Sequence, residues 1–96
     1  MRDKRGIHTP AQCRAARALL GLTADDLARR ARLTIDVVAA FEAGGDIELP
    51  ARAALENALR ECGVIGIAEA AAGEGVRFSR PATDPARRAP FAFDLA

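Results

Sequence analysis

The sequence predicts a small, mainly α-helical protein: a bundle of four or five short helices with a C-terminal β-hairpin. Apolar residues recur at helical spacing from Cys13 to Leu59, and threonines stand where helices need N-caps. After Gly63 the helical period gives way to short β-branched and aromatic runs. The length of 96 residues suits one small domain with at most a short appendage. Half of the residues are hydrophobic, but many are alanine and the only aromatics are four phenylalanines. Such a core is thin, so the chain is expected to be marginally stable alone and to gain from dimerisation.

The first helix lies in "TPAQCRAARALLG". Thr9 is a suitable N-cap, Pro10 fits the first helical position, and Gln12 completes a capping box. Cys13, Ala16 and Leu20 share one apolar face, and Gly21 ends the helix. Thr23 caps a second helix whose positive first turn holds Asp25 and Asp26. That helix runs to about Ala31 and buries Leu27, Ala28 and Ala31. After Arg32-Leu33, Thr34 caps a third helix over 35–43, with Val38 and Phe41 on its inner face. Pro50 opens a fourth through "ARAALENALREC", where Leu55 and Leu59 are spaced i, i+4.

"VIGIA" and "GVRFS", separated by "EAAAGE", read as a hairpin. The Ala70–Ala72 run leaves a helical link between them as an alternative. "RPATDPARRAPFAFDLA" has three prolines and no regular period, which predicts an extended or disordered tail with Phe91 and Phe93 as docking points.

The net charge of +1 conceals an asymmetry. Residues 11–32 carry five arginines against two aspartates, whereas residues 33–61 carry two arginines against six carboxylates. The opening "RDKR" adds further positive charge. Charge patterning of this kind bears on partners rather than on fold. Cys13 and Cys62 fit no metal-ligand spacing and are expected to be buried thiols in a reducing compartment. The start "MRDKRG" lacks the apolar stretch of a signal peptide and no run approaches a membrane span, so a cytoplasmic location is expected.

Helix, short helix, tight turn, helix is the order of a helix-turn-helix. "TPAQCRAARALLGLTADDLARRARLTIDVVAAFEAG" resembles the Cro/CI-type (lambda repressor-like) domains of the XRE family of transcriptional regulators. "ALRECGVIGI" with "GEGVRF" is similar to a small bacterial subgroup in which a hairpin follows the repressor domain. Together the likeness spans about residues 9–80. Together with the basic start and the proline-rich end, the likeness divides the chain into a flexible basic N-terminus over 1–8, a helix-turn-helix domain over 9–62, a hairpin over 63–80 and a Pro-rich extended or disordered tail over 81–96. It further implies that Arg17, late in the first helix, pairs with Glu42 at the end of the third, clipping the reading helix to the scaffold.

A helix-turn-helix sets the start of its third helix in the major groove. In the resembled family base contacts come from positions that fall here on Ile35, Asp36, Val37 and Ala40, with Thr34 capping them and Ala24 opening the second helix. None offers the amide or guanidinium that reads a purine bidentately. Apolar side chains can touch thymine methyls and Asp36 can accept from a cytosine amine. Phosphate contacts are expected from Thr23, Arg29, Arg30 and Arg32, from helix N-termini, and from "RDKR" as an arm. Arg32 occupies a turn position that is usually glycine in the family, which demands either another turn geometry or a strained backbone. Where the family commonly places basic or hydroxyl residues, this chain has "GGDIEL", whose Asp46 and Glu48 repel phosphate.

Two functions therefore compete. One is a DNA-binding regulator, expected to be a repressor acting as a homodimer on a palindromic operator. The other is a degenerate helix-turn-helix protein whose apolar, acid-rimmed third helix binds a second regulator. A plain solvent-facing helix is the third alternative. An enzyme is not expected: His8 and Ser79 are the only histidine and serine, and no catalytic or metal-ligand set surrounds them. No Gly-rich phosphate loop, cofactor or small-molecule substrate is indicated. The hairpin either pairs with that of a second subunit through Val64, Ile67, Val76 and Phe78, or packs on the chain's own fourth helix.

Overall fold

A computed structural model describes residues 6–68 and 73–80. Four helices come first: α1 (Pro10–Leu20), α2 (Ala24–Ala31), α3 (Ile35–Glu42) and α4 (Leu49–Glu61). Strands β1 (Val64–Ile67) and β2 (Gly75–Phe78) then form a two-stranded antiparallel sheet. The "RDKR" arm, the Ala70–Ala72 link and the Phe91/Phe93 docking points lie outside the described residues.

Local chemistry sets the helix ends. The Gln12 amide N–H donates to Thr9 Oγ1 at 3.1 Å while Thr9 N–H donates back to Gln12 Oε1 at 3.2 Å, closing a capping box. α2 repeats the device with a shorter acid: Asp26 N–H donates to Thr23 Oγ1 and Thr23 N–H to Asp26 Oδ2, each at 3.0 Å. Those bonds hold the Asp26 carboxyl below its ordinary range. α2 ends in a Schellman turn, with Leu33 N–H on Ala28 O at 2.8 Å and Arg32 N–H on Arg29 O at 3.2 Å. Arg32 is left-handed there, with φ 60°, so the turn keeps the geometry that glycine favours and the arginine carries the strain. α3 stops at Glu42 and α4 begins at Leu49, with Pro50 inside its first turn.

The core draws on every element: Cys13, Ala16 and Leu20 from α1, Leu27 and Ala28 from α2, Val38 and Phe41 from α3, and Leu55 and Leu59 from α4. Val64 of β1 joins it and is fully buried. Residues 6–8, expected in the flexible start, are instead tied down. Ile7 is buried, His8 N–H donates to Gln12 Oε1 at 2.8 Å, and His8 Nδ1 lies 3.3 Å from Glu56 Oε1.

The register pairs Val64 with Phe78, Ile65 with Arg77, Gly66 with Val76 and Ile67 with Gly75. Side chains alternate faces along a strand, so Val64, Val76 and Phe78 turn inward and pack on the chain's own core. Ile67 belongs to the opposite face and is exposed. The four residues expected to form one apolar dimer face therefore do not form one. β1 packs on α4 and β2 on α1, which is the intramolecular alternative.

Candidate functional site

The last turn of α3 is fixed by polar contacts from α1. Arg17 grips Glu42 with Nε on Oε2 and Nη2 on Oε1, both at 2.7 Å. Cys13 Sγ donates to Oε2 at 3.1 Å, and Arg14 donates to the Glu42 backbone carbonyl at the C-terminal end of the helix. Arg17 also reaches Leu22 O at 3.1 Å, joining the α1–α2 link to the same cluster. Burial pushes the Glu42 carboxyl upward, but hydrogen bonds from Arg17 and Cys13 and the charges of Arg17 and Arg14 outweigh it, leaving it below the ordinary glutamate range. The bond to Glu42 raises Arg17 further, so this ion pair stays charged. Burial first, then the Glu42 carboxylate, raises the Cys13 thiol well beyond its ordinary value, making it a neutral donor rather than a nucleophile.

Clipped at its end and buried along Val38 and Phe41, α3 turns its other side outward. Thr34, Ile35, Asp36 and Ala40 are exposed, with Ile35 at 47%. Val37 is half-buried and forms one wall of a groove of about 560 Å³, shared with Ile47 and Ala51 and rimmed by Asp46 and Glu48. Ala24 packs partly against the core, so its contribution to an outer surface is smaller than expected.

The expected phosphate contacts do not assemble as one cluster. Arg29 bonds Asp25 at 2.6 Å on the exposed side of α2. Arg30 lies close to the Cys62 thiol, just beyond the C-terminal end of α4. Thr23 uses its hydroxyl and amide in the α2 capping box, where Asp26 already occupies the positive helix end. Arg32 is exposed at the turn two residues before Thr34, the nearest of the three arginines to α3 in sequence.

Sequence reasoning missed Cys13 and Arg14 as partners of Glu42. A signal was present, because Cys13 and Arg17 lie i, i+4 and Arg14 and Arg17 lie i, i+3 on one helix. It also missed Ile47 and Ala51, which reach the α3 side only through the path of the 43–48 link. Among the described residues, no group of three or more His, Cys, Asp or Glu side chains is placed to hold a metal ion, and no helix is long and apolar enough to cross a membrane.

No protein-family model matches the chain, and no curated protein matches it in sequence.

Proposed function

We propose that the chain is a DNA-binding transcriptional regulator, a repressor of the Cro/CI type within the XRE family, with α3 as its reading helix. One observation carries this reading. α3 is anchored at its C-terminal end by the Arg17–Glu42 clip while Thr34, Ile35, Asp36 and Ala40 are left exposed, on the helix that follows α2 and a tight turn. With no bidentate base reader present, recognition rests on methyl contacts, the amides at the α3 N-terminus and Arg32. Affinity for each half-site is then low, and a dimer on a palindromic operator supplies the rest. On this reading the protein catalyses no reaction, carries no cofactor and acts in the cytoplasm. His8 is engaged with Glu56 on the seam between the N-terminal segment and α4.

A second reading is favoured by a specific observation. Exposed Asp46 and Glu48 rim the apolar groove beside α3, exposed Asp36 adds a further acid on that helix, and Arg29 is engaged with Asp25. On that reading α3 contacts another regulator protein instead of DNA.

Fluorescence anisotropy with mixed genomic DNA fragments over a salt series separates the two. DNA binding that strengthens steeply at low salt, with a slope reduced by about one on Arg32→Ala, supports the first reading. Absence of binding at low salt, together with co-purification of another repressor-like protein, supports the second.

A further inference from the structure

We propose that the acid-rimmed groove between α3 and α4 is a docking site for a cationic segment of another protein, in which lysine or arginine flanks large apolar side chains. This names the seat and the partner chemistry of the second reading above, and it rests on that reading.

The link into α4 builds the groove. Gly44 has φ 95° and Gly45 N–H donates to Ala40 O at 2.8 Å, which closes α3 and redirects the chain. The next residues are not helical, and Glu48 is extended, with φ −64° and ψ 150°. Successive side chains on an extended backbone point to opposite sides. Ile47 accordingly is half-buried and packs on the core, whereas its neighbours Asp46 and Glu48 are exposed. Val37 of α3 and Ala51 of α4 complete the apolar floor. The volume of about 560 Å³ falls among those of sites that bury ligands, with room for large side chains.

Electrostatics select the occupant. Other carboxylates are used by the fold: Glu42 binds Arg17, Asp25 binds Arg29, Asp26 accepts from the Thr23 amide and Glu56 faces His8. Asp46 and Glu48 have no hydrogen-bond or ion-pair partner among the described residues, and Glu48 makes no side-chain cap bond although it precedes α4. Neither arginine of α4 lines the groove. Arg52 donates to His8 O at 3.2 Å and stands 5.8 Å from the centre of the Phe41 ring, and Arg60 is in the last turn. The rim therefore keeps its negative charge above an apolar floor. That combination repels nucleic acid and acidic peptides, and a neutral apolar segment would cover the carboxylates without pairing them. A cationic, apolar segment satisfies both surfaces.

The test selects a displayed library of random peptides on the full chain and titrates the enriched peptides by fluorescence anisotropy. Enriched sequences should combine lysine or arginine with large apolar residues. Their affinity should fall about tenfold or more in Asp46→Lys/Glu48→Lys, with circular dichroism checking the fold. Peptide addition should also shift the Val37 and Ile47 methyl resonances of the wild type, a readout that stands if the variant misfolds. Enrichment without cationic residues overturns the proposal, as does equal affinity for the wild type and the folded groove variant. Methyl shifts that follow protein concentration without peptide overturn it too, giving the groove to a second copy. Binding that survives in the groove variant but is lost in Ile35→Asp/Ala40→Asp removes the groove and leaves the second reading standing. Salt-dependent DNA binding with no peptide enriched removes both.

Discussion

Arg17 and Glu42 form a two-pronged ion pair across α1 and α3, with Nε and Nη2 each 2.7 Å from a different carboxylate oxygen. Glu42 is buried, with its side chain 9% exposed, and Arg17 is the more open partner at 22%. The pair joins the scaffold helix to the helix whose outer face is the candidate site. Removing the guanidinium leaves a buried carboxylate held only by the Cys13 thiol and the neighbouring Arg14. Arg17→Ala is therefore expected to cost about 3 kcal/mol. For a domain of this size that lowers the melting temperature by more than about 10 °C. Thermal unfolding followed by circular dichroism reads this directly, and an unchanged midpoint would show that the clip contributes nothing.

The same pair sets an acid response. The Glu42 carboxyl is held below its ordinary range in the folded protein, so the unfolded chain binds its proton more readily. Its stabilisation is present above the unfolded value of about 4.3 and disappears as pH falls through the lower folded value. Urea midpoints of the wild type should fall through that window. Glu42→Gln should start lower near neutral pH and vary less, the two curves converging in acid. Parallel curves would assign the acid response to other carboxylates.

Helix caps and core faces were legible in the sequence because they depend on neighbours three or four residues away. Thr9 with Gln12, Thr23 with the acidic first turn, and the inward set of Cys13, Leu27, Val38 and Leu59 all fall in that class. The hairpin was legible as an element, and strand alternation already separated two of the residues grouped in its expected apolar face. Val64 and Ile67 are three residues apart and so lie on opposite sides of a strand. The separation of Arg29, Arg30 and Arg32 was hidden for a different reason. Adjacent residues on a helix diverge by about 100°, and only the positions of Asp25 and Cys62 show where each side chain goes.

Arg32 joins backbone strain to the candidate site. Its φ of 60° closes the turn that delivers Thr34 to the start of α3. Arg32→Gly removes a left-handed penalty but adds unfolded-state freedom, for a net gain of about 0.5–1 kcal/mol. Arg32→Ala keeps the strain and should leave stability nearly unchanged. Both remove the cation ahead of α3 and should weaken DNA binding alike in anisotropy. If Arg32→Gly is no more stable than Arg32→Ala, the turn does not carry the strain assigned to it.

Gln12 holds the N-terminal segment and the hairpin at once. Its Oε1 accepts from His8 N–H and Thr9 N–H, and its Nε2 donates to Ile67 O at 3.1 Å and Gly75 O at 3.2 Å. The side chain is buried with all four hydrogen-bonding positions used. Gln12→Glu preserves shape and both accepted bonds but turns two donors into an acceptor facing two carbonyls. A cost of about 2–3 kcal/mol is expected, because those carbonyls lose their partners beside a new buried charge. The loss should fall first on β1 and β2, read as faster hydrogen exchange of their amides, while α2 and α3 stay protected. Gly66→Ala attacks the same joint from the strand, since its Cβ would overlap the Gly6 carbonyl and press on Gln12 Nε2. A strain cost of about 1–3 kcal/mol follows for that change. Because both act on one packed contact, the double variant should lose less than the sum of the singles. Strict additivity would mean that Gln12 and Gly66 do not share the joint.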